Sequence, residues 1–359
     1  MGKVLDTPVK GRGAVSTPEG RFESLITQRV DDGWSSLEEP LPPFETTVRA
    51  ETARSIISRN ESPDIPFDQS INPYRGCEHG CIYCYARPTH SFVNLSPGLD
   101  FETKLFYKQN AAELLERELS KPGYAPSMIM LGASTDPYQP IEREYQISRS
   151  ILEVMLRFRH PVGITTKGVL IERDIDLLGE LAKLNLVGVG FSITTLDAEL
   201  KRTLEPRAAS PGARLRVMHK LADAGVPVMA MFSPVIPFVN DAEMESVLEL
   251  SRDAGARSAS YTMLRLPWEV KDLFIEWLHA HAPLKAEHVM SLVEQMRDGK
   301  AYSAQWGERM RGKGQYAEMI EQRFRLACKR LGLNQRRVQS NVGLFRVPPK
   351  AGDQMKLTL

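Results

Sequence analysis

From about residue 61 onward the chain alternates short apolar runs with amphipathic stretches. Continuous apolar character marks 69–76, 127–135, 161–168, 186–195, 226–237 and 256–267. Such runs, bounded by Gly, Pro and polar residues, read as strands buried on both faces of a parallel sheet. Between them lie segments of helical period. In 104–121, Leu114, Leu115 and Leu119 share a face, and 142–160, 172–185, 196–205, 212–225 and 241–255 read the same way. Six strand–helix units predict an α/β fold, a partial (β/α)6 barrel. Chemistry in such barrels sits at the carboxyl ends of the strands.

The flanks differ from this core. Residues 1–60 are rich in Gly, Pro, Ser, Thr and charge and read as an irregular, partly disordered N-terminal extension. Beyond residue 267 the pattern turns helical at 268–282 and 285–298 and then basic. The expected organisation is therefore an extension at 1–60, a β/α core at 61–267 and a helical C-terminal region at 268–359. The methionines of Ser127-Met128-Ile129-Met130 and Val228-Met229-Ala230-Met231-Phe232 read as core by pattern.

Composition adds bounds. The 359 residues are 42% hydrophobic and 25% charged with a net charge of +1, so the whole-chain balance excludes no partner class. No apolar run reaches the length of a membrane span, and the first twenty residues lack a signal peptide's apolar stretch. The expected location is cytoplasmic. Four cysteines in a chain this long do not make a disulfide scaffold, and three of them fall within eight residues.

That cluster is Gly76-Cys77-Glu78-His79-Gly80-Cys81-Ile82-Tyr83-Cys84-Tyr85. Thiolates separated by three and then two residues suit an iron–sulfur cluster or zinc, and the two glycines let the backbone turn around a bulky core. A four-iron cluster takes four cysteines. This loop supplies three, leaving one iron open to another ligand. Structural zinc needs a fourth ligand, for which His79 and His90 are the nearby candidates. Cys328 lies in a helical pattern and reads as a small buried apolar residue.

This cysteine spacing, with an aromatic before the last thiol, resembles the signature of the radical S-adenosylmethionine (SAM) superfamily. The string from Gly76 to His90 and the segment Thr135-Asp136-Pro137-Tyr138-Gln139-Pro140 are similar to the branch that contains spore photoproduct lyase, with closer likeness to its uncharacterised bacterial relatives. The resemblance implies a 4Fe-4S cluster on Cys77, Cys81 and Cys84, SAM chelated to the open iron, and a reductase such as flavodoxin or ferredoxin as partner. It implies that Tyr83 and Tyr85 contact the cofactor, that Thr135 and Asp136 stand where the superfamily commonly uses Gly-Gly-Glu for the SAM amino group, that Lys167 pairs with the SAM carboxylate, and that Ser192 lies near the ribose. Glu142 and Arg207 are supporting candidates without assigned roles. Ala133 stands where spore photoproduct lyases carry a hydrogen-donating cysteine.

Three functions are compatible with these residues: a radical enzyme acting on nucleic acid, a radical enzyme acting on a small molecule or peptide, and an iron–sulfur sensor without turnover. A SAM cradle favours an enzyme. Nucleic acid is suggested by residues 309–350, where eleven Lys and Arg face two Glu. The alternative is that these charges pair with acidic helices of the barrel.

Overall fold

The computed structural model describes residues 3–4 (backbone), 9–22, 45–335 and 340–349. Much of the extension, Arg336, Arg337 and the segment from Lys350 onward lie outside the described residues. The six expected strands are β1 (Gln69–Ile71), β2 (Ile129–Leu131), β3 (Val162–Thr166), β4 (Val187–Ser192), β5 (Val228–Val235) and β6 (Ser258–Met263). They lie side by side in chain order, all parallel, with Ser58–Arg59 antiparallel on the outer edge of β1. The sheet is open between β6 and that edge, as a partial barrel requires.

Helices α1 (Ala111–Leu119), α2 (Ile147–Phe158), α3 (Ile175–Lys183), α4 (Ala198–Leu204), α5 (Pro211–Asp223) and α6 (Met244–Asp253) occupy the expected segments. Local chemistry starts them: Asp197 accepts from the Glu199 and Leu200 amides, and Ser210 accepts from Ala213 ahead of Pro211. Their apolar stripes and one face of the strands form the main core. After the barrel come α7 (Glu269–His281), α8 (Ala286–Gln295) and α9 (Gln315–Leu331). The first two build a second core with Cys81, Ile82 and Tyr83, whereas α9 packs Ala327 and Cys328 onto the main core.

Three expectations need correction. The segment 104–121 is not one helix: Lys104–Lys108 is a strand, paired with Thr47–Glu51 and Tyr74–Arg75 in a small separate sheet. The same sheet puts a regular strand inside the extension expected to be irregular. The segment 142–160 breaks at Gln146, which is left-handed at φ 50°. The buried Glu142 carboxylate there turns back to accept from the Ser148 and Arg149 amides at the start of α2. Glu142 is thus a helix cap and does not line the cleft described below.

The methionines also differ. Along β5, Val228, Ala230 and Phe232 are buried against the helices, while Met229, Met231 and Ser233 stay partly exposed on the concave side. The concave wall accommodates them by glycine. A Cβ on Gly163 would sit 2.9 Å from Met130 Cε, and one on Gly190 would sit 2.8 Å from Met231 Sδ.

At the far end of the barrel, His160 is buried between the Tyr124 hydroxyl (2.8 Å) and the Pro161 carbonyl (3.0 Å). Burial pushes its pKa down to about 4 from 6.5. The unfolded chain therefore binds the extra proton first, and stability should fall as pH drops from 6.5 towards 4, by ~3 kcal/mol for this group. Urea titrations of wild type and His160→Gln across that window check it; parallel pH curves for the two proteins would contradict it.

Candidate active site

The cysteine loop leaves β1 and is held from behind. Gly76 and Gly80 are left-handed (φ 74° and 64°), and a Cβ at Gly76 would meet Leu105 at 2.6 Å and the Phe101 carbonyl at 2.9 Å. Arg87, fully buried, donates to the carbonyls of Cys81 (2.9 Å) and Gly80 (3.0 Å), to those of Pro97 and Gly98, and to the buried Glu102 (2.5 Å). Glu102 in turn accepts from the Gly13 and Ala14 amides at 3.0 and 2.9 Å. Residues 9–22 thereby form a strap under the loop, so close that a Cβ on Gly13 would lie 1.9 Å from the Gly80 carbonyl oxygen.

Above the loop, at the carboxyl ends of the strands, opens a cleft of about 290 Å3. Cys77, Cys81, Cys84, Tyr83, Tyr85, Thr135, Asp136, Lys167 and Ser192 all line it. Thr165, Met130 and Met231 form its floor. On the open side of the barrel, Met263 donates its amide to the Met310 carbonyl (2.9 Å), while Gly307 (2.7 Å) and Arg309 donate to Asp64. Residues 307–310 thus bridge the seam and place Met310 opposite Ile65 and Phe67 in the cleft wall.

Burial raises the pKa of all three loop thiols, Cys81 to about 12. Lys167 and Arg214 partly offset this at Cys81, as do Arg87 and Lys167 at Cys84. Buried thiols with cations beside them and no hydrogen-bonding base fit a metal centre, which takes the proton's place. Neither zinc-candidate histidine is turned to that use: His79 Nδ1 lies 3.3 Å from Asp136, and His90 Nε2 engages the Lys104 carbonyl at 2.9 Å. Among the described residues, no three His, Cys, Asp or Glu side chains converge as a single-ion site requires.

The polar walls are organised by two buried carboxylates. Asp136 accepts from the Tyr138 amide (2.9 Å), the Thr166 hydroxyl (2.7 Å) and the Lys167 amide (2.6 Å). Burial raises its pKa, but His79 and these donors outweigh it and hold the group at about 2. It thus ties the ends of β2 and β3 to the cysteine loop. Thr135 donates to the Tyr74 carbonyl (3.0 Å) and Ser192 to the Ser233 carbonyl (3.1 Å), leaving each hydroxyl oxygen as an acceptor.

Glu205 was missed by sequence reasoning. It accepts from Tyr83, from Thr194 (2.6 Å) and from Arg214, and lies 4.0 Å from Lys167 Nζ. Despite burial, Arg214 and Lys167 hold it at about 2. Lys167 also sits 5.8 Å over the Tyr83 ring. Nothing local in Leu204-Glu205-Pro206 signals this role. Arg207 pairs with Glu78 (3.0 Å) and donates its amide to the His79 carbonyl. Tyr85 is half exposed, donates to the Ala133 carbonyl, and carries Arg265 over its ring at 5.1 Å. Cys328 is remote from this cleft; it lines a second pocket beside α9.

The fold and the site thus define a partial parallel barrel with a three-thiol loop at the carboxyl ends of its strands. The chain matches the Radical SAM superfamily over residues 71–251, half of its length, and belongs to that family. The family uses a 4Fe-4S cluster and SAM. Among sequence relatives, Uncharacterized protein Rv2578c of Mycobacterium tuberculosis is 35% identical over 227 residues, covering 62% of this chain and 67% of that protein. Uncharacterized protein MJ0683 of Methanocaldococcus jannaschii is 31% identical over 173 residues, covering 48% and 62%. Among solved structures, spore photoproduct lyase complexed with dinucleoside spore photoproduct superposes with a TM-score of 0.58 at 14% identity, covering 80% of each chain. That similarity shows the shared fold. No helix among the described residues is long and apolar enough to cross a membrane.

Proposed function

We propose that the chain is an enzyme that cleaves SAM reductively and uses the fragment to abstract hydrogen from a substrate. The observation that carries this is the convergence on one cleft of the three thiols with Tyr83, Tyr85, Thr135, Lys167 and Ser192. A reduced 4Fe-4S cluster bound there would supply the one electron needed for homolytic carbon–sulfur cleavage of SAM into methionine and a 5′-deoxyadenosyl radical. Cys77, Cys81 and Cys84 would hold it, and a flavodoxin- or ferredoxin-type reductase would supply the electron. Lys167, with Glu205 4.0 Å from its Nζ, would bind the SAM carboxylate; Thr135 would accept from its ammonium and Ser192 would face the ribose. Asp136 would shape that wall, since its oxygens are occupied by Tyr138, Thr166 and Lys167. The methionines of the floor would limit water at the reacting group. We keep residues 1–60, 61–267 and 268–359 as the proposed extension, radical-generating core and C-terminal region.

The test is anaerobic: reconstituted, reduced protein should form 5′-deoxyadenosine slowly even without substrate, and a cluster-loaded protein that never does is a sensor. Lys167→Ala should weaken SAM binding about ten- to hundredfold through the lost charge-assisted contact. Equal affinity of the two proteins removes Lys167 from the cradle.

Nucleic acid is the substrate class we propose first. The basic segment is partly spent internally: Arg323 pairs with Glu245 (2.7 Å), Arg309 with Asp64, and Lys313 with Asp298. Arg311, Arg325 and Lys329 instead line a pocket of about 400 Å3 with Tyr261 and Phe324, where cations and rings together suit a phosphodiester strand. Changing these three to Gln should lower the salt slope of DNA or RNA binding by about 2–3. An unaltered slope turns the reading toward a small molecule or peptide. Ala133 lines the cleft and Cys328 does not, so the hydrogen-return step of a spore photoproduct lyase is not part of this proposal.

A further inference from the structure

Among the described residues lining the cleft, the basic side chains Lys167, His79 and Arg265 differ in their partners. Lys167 faces Glu205, and His79 faces Asp136. Arg265, just beyond the end of β6, lines the same cleft and has no carboxylate in hydrogen-bonding contact among the described residues. Its Nη1 meets only the weak acceptor Met310 Sδ at 3.4 Å, and its Nε is buried with no partner. Asp64, whose pKa Arg265 helps to lower, is committed to Gly307 and Arg309 across the seam. A second guanidinium stands behind it. Arg297, itself buried, donates to the carbonyls of Leu264 and Val293 and has its own unpartnered Nε. Burial and the neighbouring Arg265 lower the Arg297 pKa to about 10.

A cation held against another cation, with a buried donor unused, is costly unless an anion completes it. The planar fork of Arg matches the two oxygens of a carboxylate or phosphate. Around it the walls are apolar or aromatic: Ile65, Phe67, Met263, Met310 and the face of Tyr85. We propose that Arg265 anchors the substrate by an anionic group, phosphate or carboxylate, whose attached apolar or ring-bearing body lies between Tyr85 and the methionine wall. This deepens the reading above and rests on it for the identity of the cleft. It places the anionic end of the substrate on the β6 and seam side of the cleft, with Tyr85 between it and the cofactor cradle's thiol loop.

The experiment uses the cluster-loaded, SAM-bound protein under anaerobic calorimetry with three probes of one ring: benzyl phosphate, benzoate and neutral benzyl alcohol. The expected result is that one or both anions bind about ten- to hundredfold tighter than the alcohol. Arg265→Gln should erase that preference and Arg265→Lys should keep part of it. The ranking of phosphate over carboxylate, or the reverse, identifies the source of the charge. Equal binding of charged and neutral probes, no binding of either anion at about 1 mM, or an anion preference that survives in Arg265→Gln overturns the proposal. Loss of SAM affinity in Arg265→Gln overturns it as well, by moving Arg265 into the cofactor cradle. Wild-type protein that binds the anions through Arg265 yet never cleaves SAM would instead remove the preceding function and leave this site standing.

Discussion

Alanine in place of Cys77, Cys81 or Cys84 is expected to abolish the iron–sulfur centre in each single variant, against about four irons per chain in anaerobically reconstituted wild type. All three thiols line the cleft, and Cys77 and Cys81 are buried. Cys328→Ala should keep the full iron content, because Cys328 sits on the far side of β6 with Asn334 Nδ2 at 3.7 Å. Iron content and the visible charge-transfer absorption of the four variants check this together. Undiminished iron in all three loop variants would refute the assignment of the centre to this loop.

Arg87→Met is expected to have the largest effect of any change outside the cysteines. It strands the buried Glu102 carboxylate and releases the carbonyls of Gly80 and Cys81 at once. Removing one partner of a fully buried ion pair costs about 3–5 kcal/mol. The loss should appear in urea unfolding of the iron-free protein and again as faster release of iron by a chelator from the loaded one. Arg87→Lys keeps the charge but not the fork, and should fall between the two. A Met variant as stable as wild type, with iron release unchanged, would show that the pair does not hold the loop.

The parts legible in the sequence were those whose chemistry is local. Three thiols in eight residues announce a metal centre, and the runs that became β1 to β6 are apolar enough to need burial on both faces. The strand at Lys104–Lys108 was hidden because Lys-Leu-Phe-Tyr-Lys runs directly into the helical pattern that begins at Ala111, and its strand partners lie at Thr47–Glu51 and Tyr74–Arg75. Met130 and Met231 could not be told from core residues, since both faces of these strands are apolar. Only the register that puts Gly163 and Gly190 opposite them makes a cavity. Arg87, Glu102 and Glu205 carry no local signal; burial is a property of the fold, and no local pattern marks it. Asp64 and Arg309 are joined across a sequence separation of 245 residues, beyond any periodicity argument.

That seam has a bearing on biosynthesis. The cysteine loop is made early, but the wall containing Met310 cannot be hung between Asp64 and Met263 until the chain past residue 310 has left the ribosome. At about 5–20 residues per second the nascent loop spends on the order of ten seconds or more with one side of its cleft unbuilt. Completion of that wall is set by the place of residues 307–310 in the chain, far downstream of the cysteine loop.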